Sequence, residues 1–219
     1  MRAAAGILSG LLLLLAGSSA AADEPAGRPP ERAGIYARGS AGVGYASGSY
    51  RYDAPSSPAL PPVRELHFDV TLHGPLLDAR AALGHAVTKG VAIAAEAGAS
   101  LQGIPAGHAR LGSTNIDVVL LARAGVVVDV YPAPDQGTHI LGGLAFARAT
   151  FLGGRNHDVS FDNVVHLEPA HGPEFYAGPA FDFEPGFGLG LRFFYGRLAG
   201  DRSQYRPLGV MLQASWISF

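Results

Sequence analysis

From Gly34 to the C-terminus, apolar and polar residues alternate with a period of two. Ile35, Ala37, Gly39, Ala41, Val43 and Tyr45 share one parity, and Tyr36, Arg38, Ser40, Gly42 and Gly44 the other. Successive side chains of a strand point to opposite faces, so the spacing predicts a strand over residues 34–50 with one apolar face and one small, polar or charged face. A Pro/Ser-rich loop over residues 51–63 follows. Leu66, Phe68, Val70 and Leu72 then oppose His67, Asp69 and Thr71, but beyond Gly74-Pro75 the apolar parity changes to Leu77, Ala79, Ala81 and Leu83. A β-bulge that absorbs one residue, with proline where a ladder bond is already lost, is the expected cause.

Thr88-Lys89-Gly90 predicts a tight turn into a third strand, with Val91, Ile93, Ala95, Ala97 and Leu101 against Glu96, Gly98, Ser100 and Gln102. After a loop near 103–114, Ile116, Val118, Leu120, Ala122, Ala124, Val126, Val128 and Val130 share the apolar face of a fourth strand, opposite Asp117, Arg123 and Asp129. Residues 131–137 form a turn. In the fifth strand, His139 to Phe151, Arg148 has the parity of Leu144 and Phe146, and its charge is taken to turn it inward. The longest connection, 152–170, precedes a sixth strand with Phe175, Ala177, Phe181 and Phe183 opposite Glu174, Tyr176, Asp182 and Glu184. A Pro185-Gly186 turn leads to the seventh strand. There Phe187, Leu189, Leu191, Phe193 and Tyr195 oppose Gly188, Gly190 and Arg192, and a loop over 198–207 leads to the eighth.

Eight strands joined alternately by longer loops and shorter turns suit an antiparallel up-and-down barrel, and an even number returns both ends to one side. Two barrel types alternate in this way: a soluble one with its apolar face inward, and a transmembrane one with it outward. A polar face of Gly, Ser, Tyr and isolated charges of both signs fits the packed lumen of a narrow membrane barrel, because a solvated exterior carries denser Lys and Glu. The expected lumen-facing charges are Arg38, Arg80, Glu96, Asp117, Arg123, Asp129, Arg148, Asp182 and Arg192. Tyr45, Tyr131, Phe183, Tyr195, Trp216 and Phe219 lie near strand ends, where interfacial girdles belong.

The N-terminus adds a location. Met1-Arg2, the apolar run to Ala16 and the small residues Gly17 to Ala22 read as a secretory signal peptide cleaved after Ala20 or Ala22, with Ala22 favoured. The expected organisation is signal peptide 1–22, a Pro-containing periplasmic linker 23–33 and a barrel domain 34–219. The absence of Cys from all 219 residues removes disulfides and lipoprotein anchoring. A net charge of −2, with Lys and Arg in no dense run, argues against a nucleic-acid partner.

The last strand, Leu208 to Phe219, ends on an aromatic. With the leader and the whole alternating pattern, this resembles small bacterial outer-membrane β-barrel proteins of the OmpA-, OmpX- and OmpW-like group. The resemblance implies an eight-stranded barrel in the outer membrane, a contribution of Phe219 to the signal read by the barrel-insertion machinery, and surroundings of outer-membrane lipid and lipopolysaccharide. It also implies an envelope-structural or surface-interaction role for a monomer, with a narrow porin-like or small-ligand transport barrel as the alternative. One departure concerns facing: Ile217 and Phe219 share parity with Ser215 and Gln213, whereas Leu208, Val210, Leu212, Ala214 and Trp216 form the better apolar face. Either a slip near Trp216 or an imperfect insertion signal follows.

Candidate chemistry is sparse. His157, His166 and His171 match no compact metal-ligand spacing, so no metal or other cofactor is expected. His157 and Ser160, three apart, fall on opposite faces of an extended segment and make a poor nucleophile–base pair, so an enzyme acting on lipid A and a soluble lipocalin-like binder remain lesser alternatives. Arg155, His157, Asp158 and Asp162 are expected on a surface loop outside the cell.

Overall fold

A computed structural model describes residues 34–54, 66–105, 109–111, 114–133, 137–154, 164–183 and 186–218. The expected signal peptide and linker, the loop residues Arg155, His157, Asp158 and Asp162, and the terminal Phe219 lie outside the described residues. The strands are β1 (Gly34–Ala54), β2 (Leu66–Thr88), β3 (Val91–Gly103), β4 (Arg110–Leu111), β5 (Thr114–Asn115), β6 (Val118–Val130), β7 (Thr138–Gly154), β8 (Val164–His166), β9 (Ala170–Phe183), β10 (Phe187–Gly196), β11 (Leu198–Ala199) and β12 (Ser203–Ser218).

All ladders are antiparallel. Among the described residues β1 pairs with β2, β2 with β3, β3 with β6, β6 with β7, β7 with β9, β9 with β10, β10 with β12, and β12 again with β1. The hydrogen-bonded path therefore returns to its start. β4 and β5 make a small separate hairpin, β8 pairs with the end of β7 beyond β9, and β11 bridges β9 and β12 beyond the end of β10.

Burial follows parity, with the usual polarity reversed. Apolar side chains face outward, with Ile35 72% and Phe146 59% exposed, whereas Arg80 and Arg192 are 1% and 0% exposed inside. Apolar residues are normally buried and charged ones exposed. From Ile35 to Tyr45 the outward positions of β1 span ten residue steps, roughly 25 Å along the axis at a strand tilt of about 40°, close to the height of a membrane-barrel apolar band.

Beyond that height the polarity inverts, and this corrects the expected bulge at Gly74-Pro75. The β1–β2 register runs unbroken from Gly34↔Ala86 to Ala54↔Leu66, so no residue is absorbed. The parity facing inward never changes; only its chemistry does. Leu72 and Leu76 stay buried while Thr71 and Asp69 point outward, so this end of the sheet has an ordinary apolar interior and a polar exterior. Pro75 lies one residue beyond the last β2–β3 pair, Leu76↔Gln102, at the end of that ladder. The irregularity in this hairpin falls instead between Ala86 and Thr88, beside the turn.

Other expectations change for similar reasons. Ile116 belongs to the buried apolar cluster at the loop-rich end, since β6 begins only at Val118. Residues 170–174 extend β9, and Ser203–Pro207 extend β12, so the connections expected over 152–170 and 198–207 are partly strand. The β1–β12 register is continuous from Tyr52↔Ser203 to Ala37↔Ser218, which removes the slip near Trp216 and leaves Ile217, Ser215 and Gln213 inside. Tyr131 is buried and so is no girdle residue; Tyr45, Phe183 and Tyr195 are exposed.

Candidate functional site

Chemistry-bearing side chains gather in the interior. Two glycines make room for them. A Cβ at Gly98 would lie 2.6 Å from Arg80 Cγ, so its absence lets Arg80 lie across β3. One at Gly143 would lie 2.3 Å from Cζ of Tyr176, whose ring occupies that space.

The central layer joins strands that are not neighbours. Arg80 Nε donates to Asp78 Oδ2 at 2.9 Å and Nη1 to Glu96 Oε1 at 2.9 Å. From β10, Arg192 grips the same Glu96 with both Nη atoms, at 2.9 and 3.1 Å. From β6, Arg123 donates to Glu174 of β9 at 2.5 Å and to Asp78 at 3.3 Å. Ser100 donates to Asp78 and accepts from Arg123, and Gln213 donates to Asp78 Oδ2 at 3.0 Å. The Tyr176 ring lies 4.4 Å from the Arg192 guanidinium and 5.0 Å from that of Arg80, and Phe194 lies 5.5 Å from that of Arg123. Planar guanidinium groups supply the fork and stacking face that such shared contacts require.

A second group fills the end where the short turns lie. Arg38 donates to both oxygens of Asp129, at 3.0 and 3.2 Å, and Tyr36 also donates to Asp129. Tyr131 donates to Asp182 at 2.9 Å and stacks on His139, centroids 4.5 Å apart. His139 stands 3.8 Å from Asp129 and 3.6 Å from Asp182. At the loop-rich end the interior turns aromatic: Tyr50, Phe151 and Tyr205 pack with centroids 4.4 and 5.3 Å apart. Tyr205 donates to Gln102 at 3.0 Å, and Gln102 in turn donates to the Ala46 carbonyl at 3.0 Å. Burial raises the Tyr50 phenol pKa there.

Of the residues singled out from the sequence, Arg38, Arg80, Glu96, Arg123, Asp129 and Arg192 are buried in these groups, and Asp182 lies beside them partly buried. Two are not. Asp117 is half-buried in the break between β5 and β6, where its backbone joins Ile104 and Leu152, so the parity of the fourth strand does not extend to it. Arg148 is exposed on the outer face, because it keeps the parity of Leu144 and Phe146. It lies beyond the apolar belt, where an outward charge meets a polar surface. The candidate set omitted Asp78 and Glu174, which connect the central layer; their shared parity with Arg80 and Asp182 is the signal that marks them.

The chemistry of this interior is charge pairing. Two of its serine hydroxyls join these pairs: Ser100 meets Asp78 and Arg123, and Ser215 lies 3.4 Å from Arg38 Nη2. Among the described residues no group of three or more His, Asp or Glu is placed to hold a metal ion.

No protein-family model and no curated relative matches the sequence. Among solved structures, Ail, the attachment invasion locus protein of Yersinia pestis, crystallised with sucrose octasulfate, is similar at 14% identity and a TM-score of 0.45. The match covers 83% of this chain and 99% of that one. Neisserial surface protein A is similar at 10% identity and TM-score 0.49, over 83% and 96%. The outer membrane protease OmpT from Escherichia coli is similar at 7% and 0.41, over 88% and 98%. Likeness of this degree concerns strand architecture alone.

Proposed function

We propose that the chain is an eight-stranded antiparallel up-and-down β-barrel of a bacterial outer membrane, exported by a cleaved signal peptide and serving an envelope-structural or surface-interaction role without enzymatic activity. The observation that carries this reading is the reversal of polarity. A continuous outward belt of Ile, Leu, Val and Phe surrounds buried Arg, Asp and Glu, and hydrocarbon is the solvent in which that arrangement is favourable. An eight-stranded interior is just wide enough for side chains, and here ion pairs run across it between β2 and β6, β3 and β10, and β6 and β9. These pairs support a lumen that is filled rather than open.

In this reading the termini lie in the periplasm, Phe219 contributes to recognition by the insertion machinery, and the loop with Arg155, His157, Asp158 and Asp162 faces outward. Outer-membrane lipid and lipopolysaccharide surround a monomer. Membrane fractionation combined with gel mobility before and after boiling tests the location. The folded protein should float with outer membrane and shift on heating, whereas recovery in the soluble periplasm overturns the proposal. Reproducible conductance steps in a planar bilayer would replace the filled lumen with a pore.

A further inference from the structure

The outer surface carries a second charged group that the interior does not use. Arg148 on β7 and His171 on β9 are cross-strand partners, both exposed. Arg197 bonds through its N–H to the Pro173 carbonyl, diagonally from His171, since Ala199 is the residue opposite His171. Tyr195 pairs with Leu208 and Leu198 with Tyr205, so Arg197 stands beside Arg206 of β12 on the outer face. Arg148, Arg197 and Arg206 each sit one outward step beyond an exposed apolar residue, Phe146, Tyr195 and Leu208 respectively. Basic side chains here adjoin one another at the upper edge of the apolar belt.

A pocket of about 510 Å³ opens beside Arg148 and His171, with Glu168 and Asp201 also on its walls and Phe146 at the belt side; Arg197 and Arg206 stand outside its lining. Phe146 holds the His171 ring at 5.8 Å. Glu168 is committed to the wall itself: its carboxylate accepts the Asp201 N–H at 2.6 Å and the Arg202 N–H at 3.0 Å, fixing the turn between β11 and β12. A ligand there meets a guanidinium fork, an imidazole, an aromatic ring and the exposed Asp201 carboxylate, with Leu144 and Phe175 paired below on the outer face.

We propose that this pocket binds the phosphate-bearing head group of an outer-leaflet lipid, the phosphate on Arg148 and His171 with Arg197 beside them, and the acyl chains running over Phe146, Leu144 and Phe175. The inference rests on the outer-membrane reading above. Arginine geometry and height select this occupant. Arginine forks suit phosphate, and the group stands where the belt ends and head groups begin. A free anion would leave the aromatic side of the pocket unused.

The test uses refolded protein in phosphatidylcholine nanodiscs titrated with bisphosphorylated lipid A, the retained lipid being counted by native mass spectrometry. Arg148→Gln with Arg197→Gln should weaken retention on the order of thirtyfold, about fivefold for each arginine near a lipid surface. Arg51→Gln, higher on the rim and paired with Asp69 on β2, should leave it unchanged. Dephosphorylated lipid A should be lost from the unmodified protein, an arm that needs no variant to fold. Retention unchanged in the double variant, or reduced equally by Arg51→Gln, overturns the site. Displacement by millimolar inorganic phosphate assigns it to a free anion instead. A protein that never enters the nanodisc contradicts the outer-membrane reading before any lipid is added.

Discussion

Glu96→Gln removes one charge from the centre of the interior and changes little else. Glu96 holds Arg192 through two bonds and Arg80 through a third, and all three residues are buried. The variant leaves Arg192, which has no other ion-pair partner among the described residues, as an uncompensated buried cation. Arg80 keeps Asp78 at 2.9 Å. Breaking one side of a buried pair costs about 3 to 5 kcal/mol, so a loss of that size is expected. Arg192→Met alone should cost less, because Glu96 retains Arg80. In the double variant, Glu96→Gln with Arg192→Met, the stranded cation is gone. The combined loss should then fall short of the sum of the two single losses by about 2 kcal/mol or more. The assay is denaturant unfolding in lipid vesicles, followed by fluorescence of the sole tryptophan, Trp216. A Glu96→Gln loss below about 1 kcal/mol, or strict additivity, would refute a desolvated, coupled interior.

Three further outcomes follow from the same geometry. Ala124→Arg, on the outward face of β6, should cost about 2 to 4 kcal/mol in lipid, whereas Arg51→Ala at the exposed rim should leave stability nearly unchanged; equal effects in vesicle unfolding titrations would contradict the facing. Gly143→Ala should cost about 1 to 3 kcal/mol, because its methyl would meet the Tyr176 ring that stacks on Arg192, while Gly34→Ala has open space and should show only a backbone effect. A Cys at Asn156 should react with an impermeant maleimide on intact cells and one at Asp135 only after the outer membrane is opened; the reverse pattern would invert the topology.

Period-two alternation carried most of the strand order, because one face is apolar throughout the belt and a one-residue slip would turn every side chain over. It misled where the surroundings change along a strand. At Gly74-Pro75 the apolar parity switches because β2 passes the end of the apolar belt, and sequence alone does not distinguish a change of surroundings from a slip of register. Arg148 shows the same ambiguity in reverse: charge argued for the interior, parity for the exterior, and its position beyond Phe146 satisfies both. The individual charged residues were visible, but their partners were not. Asp78 touches Arg123 across 45 positions and Glu96 touches Arg192 across 96, contacts that depend on how the ring closes.

The central claim is that the apolar face of the belt meets lipid and that the polarity reverses above it. Nitroxide labels placed one at a time at Ala41, Val43, Tyr45, Ser47, Ser49 and Arg51 of reconstituted protein test it most directly, through collision with oxygen and with a water-soluble nickel chelate. These outward positions run from the belt to the polar rim. High oxygen and low nickel accessibility at 41–45, with nickel accessibility rising from 47 to 51, is the predicted profile. Nickel accessibility at Val43 equal to that at Arg51 would contradict it.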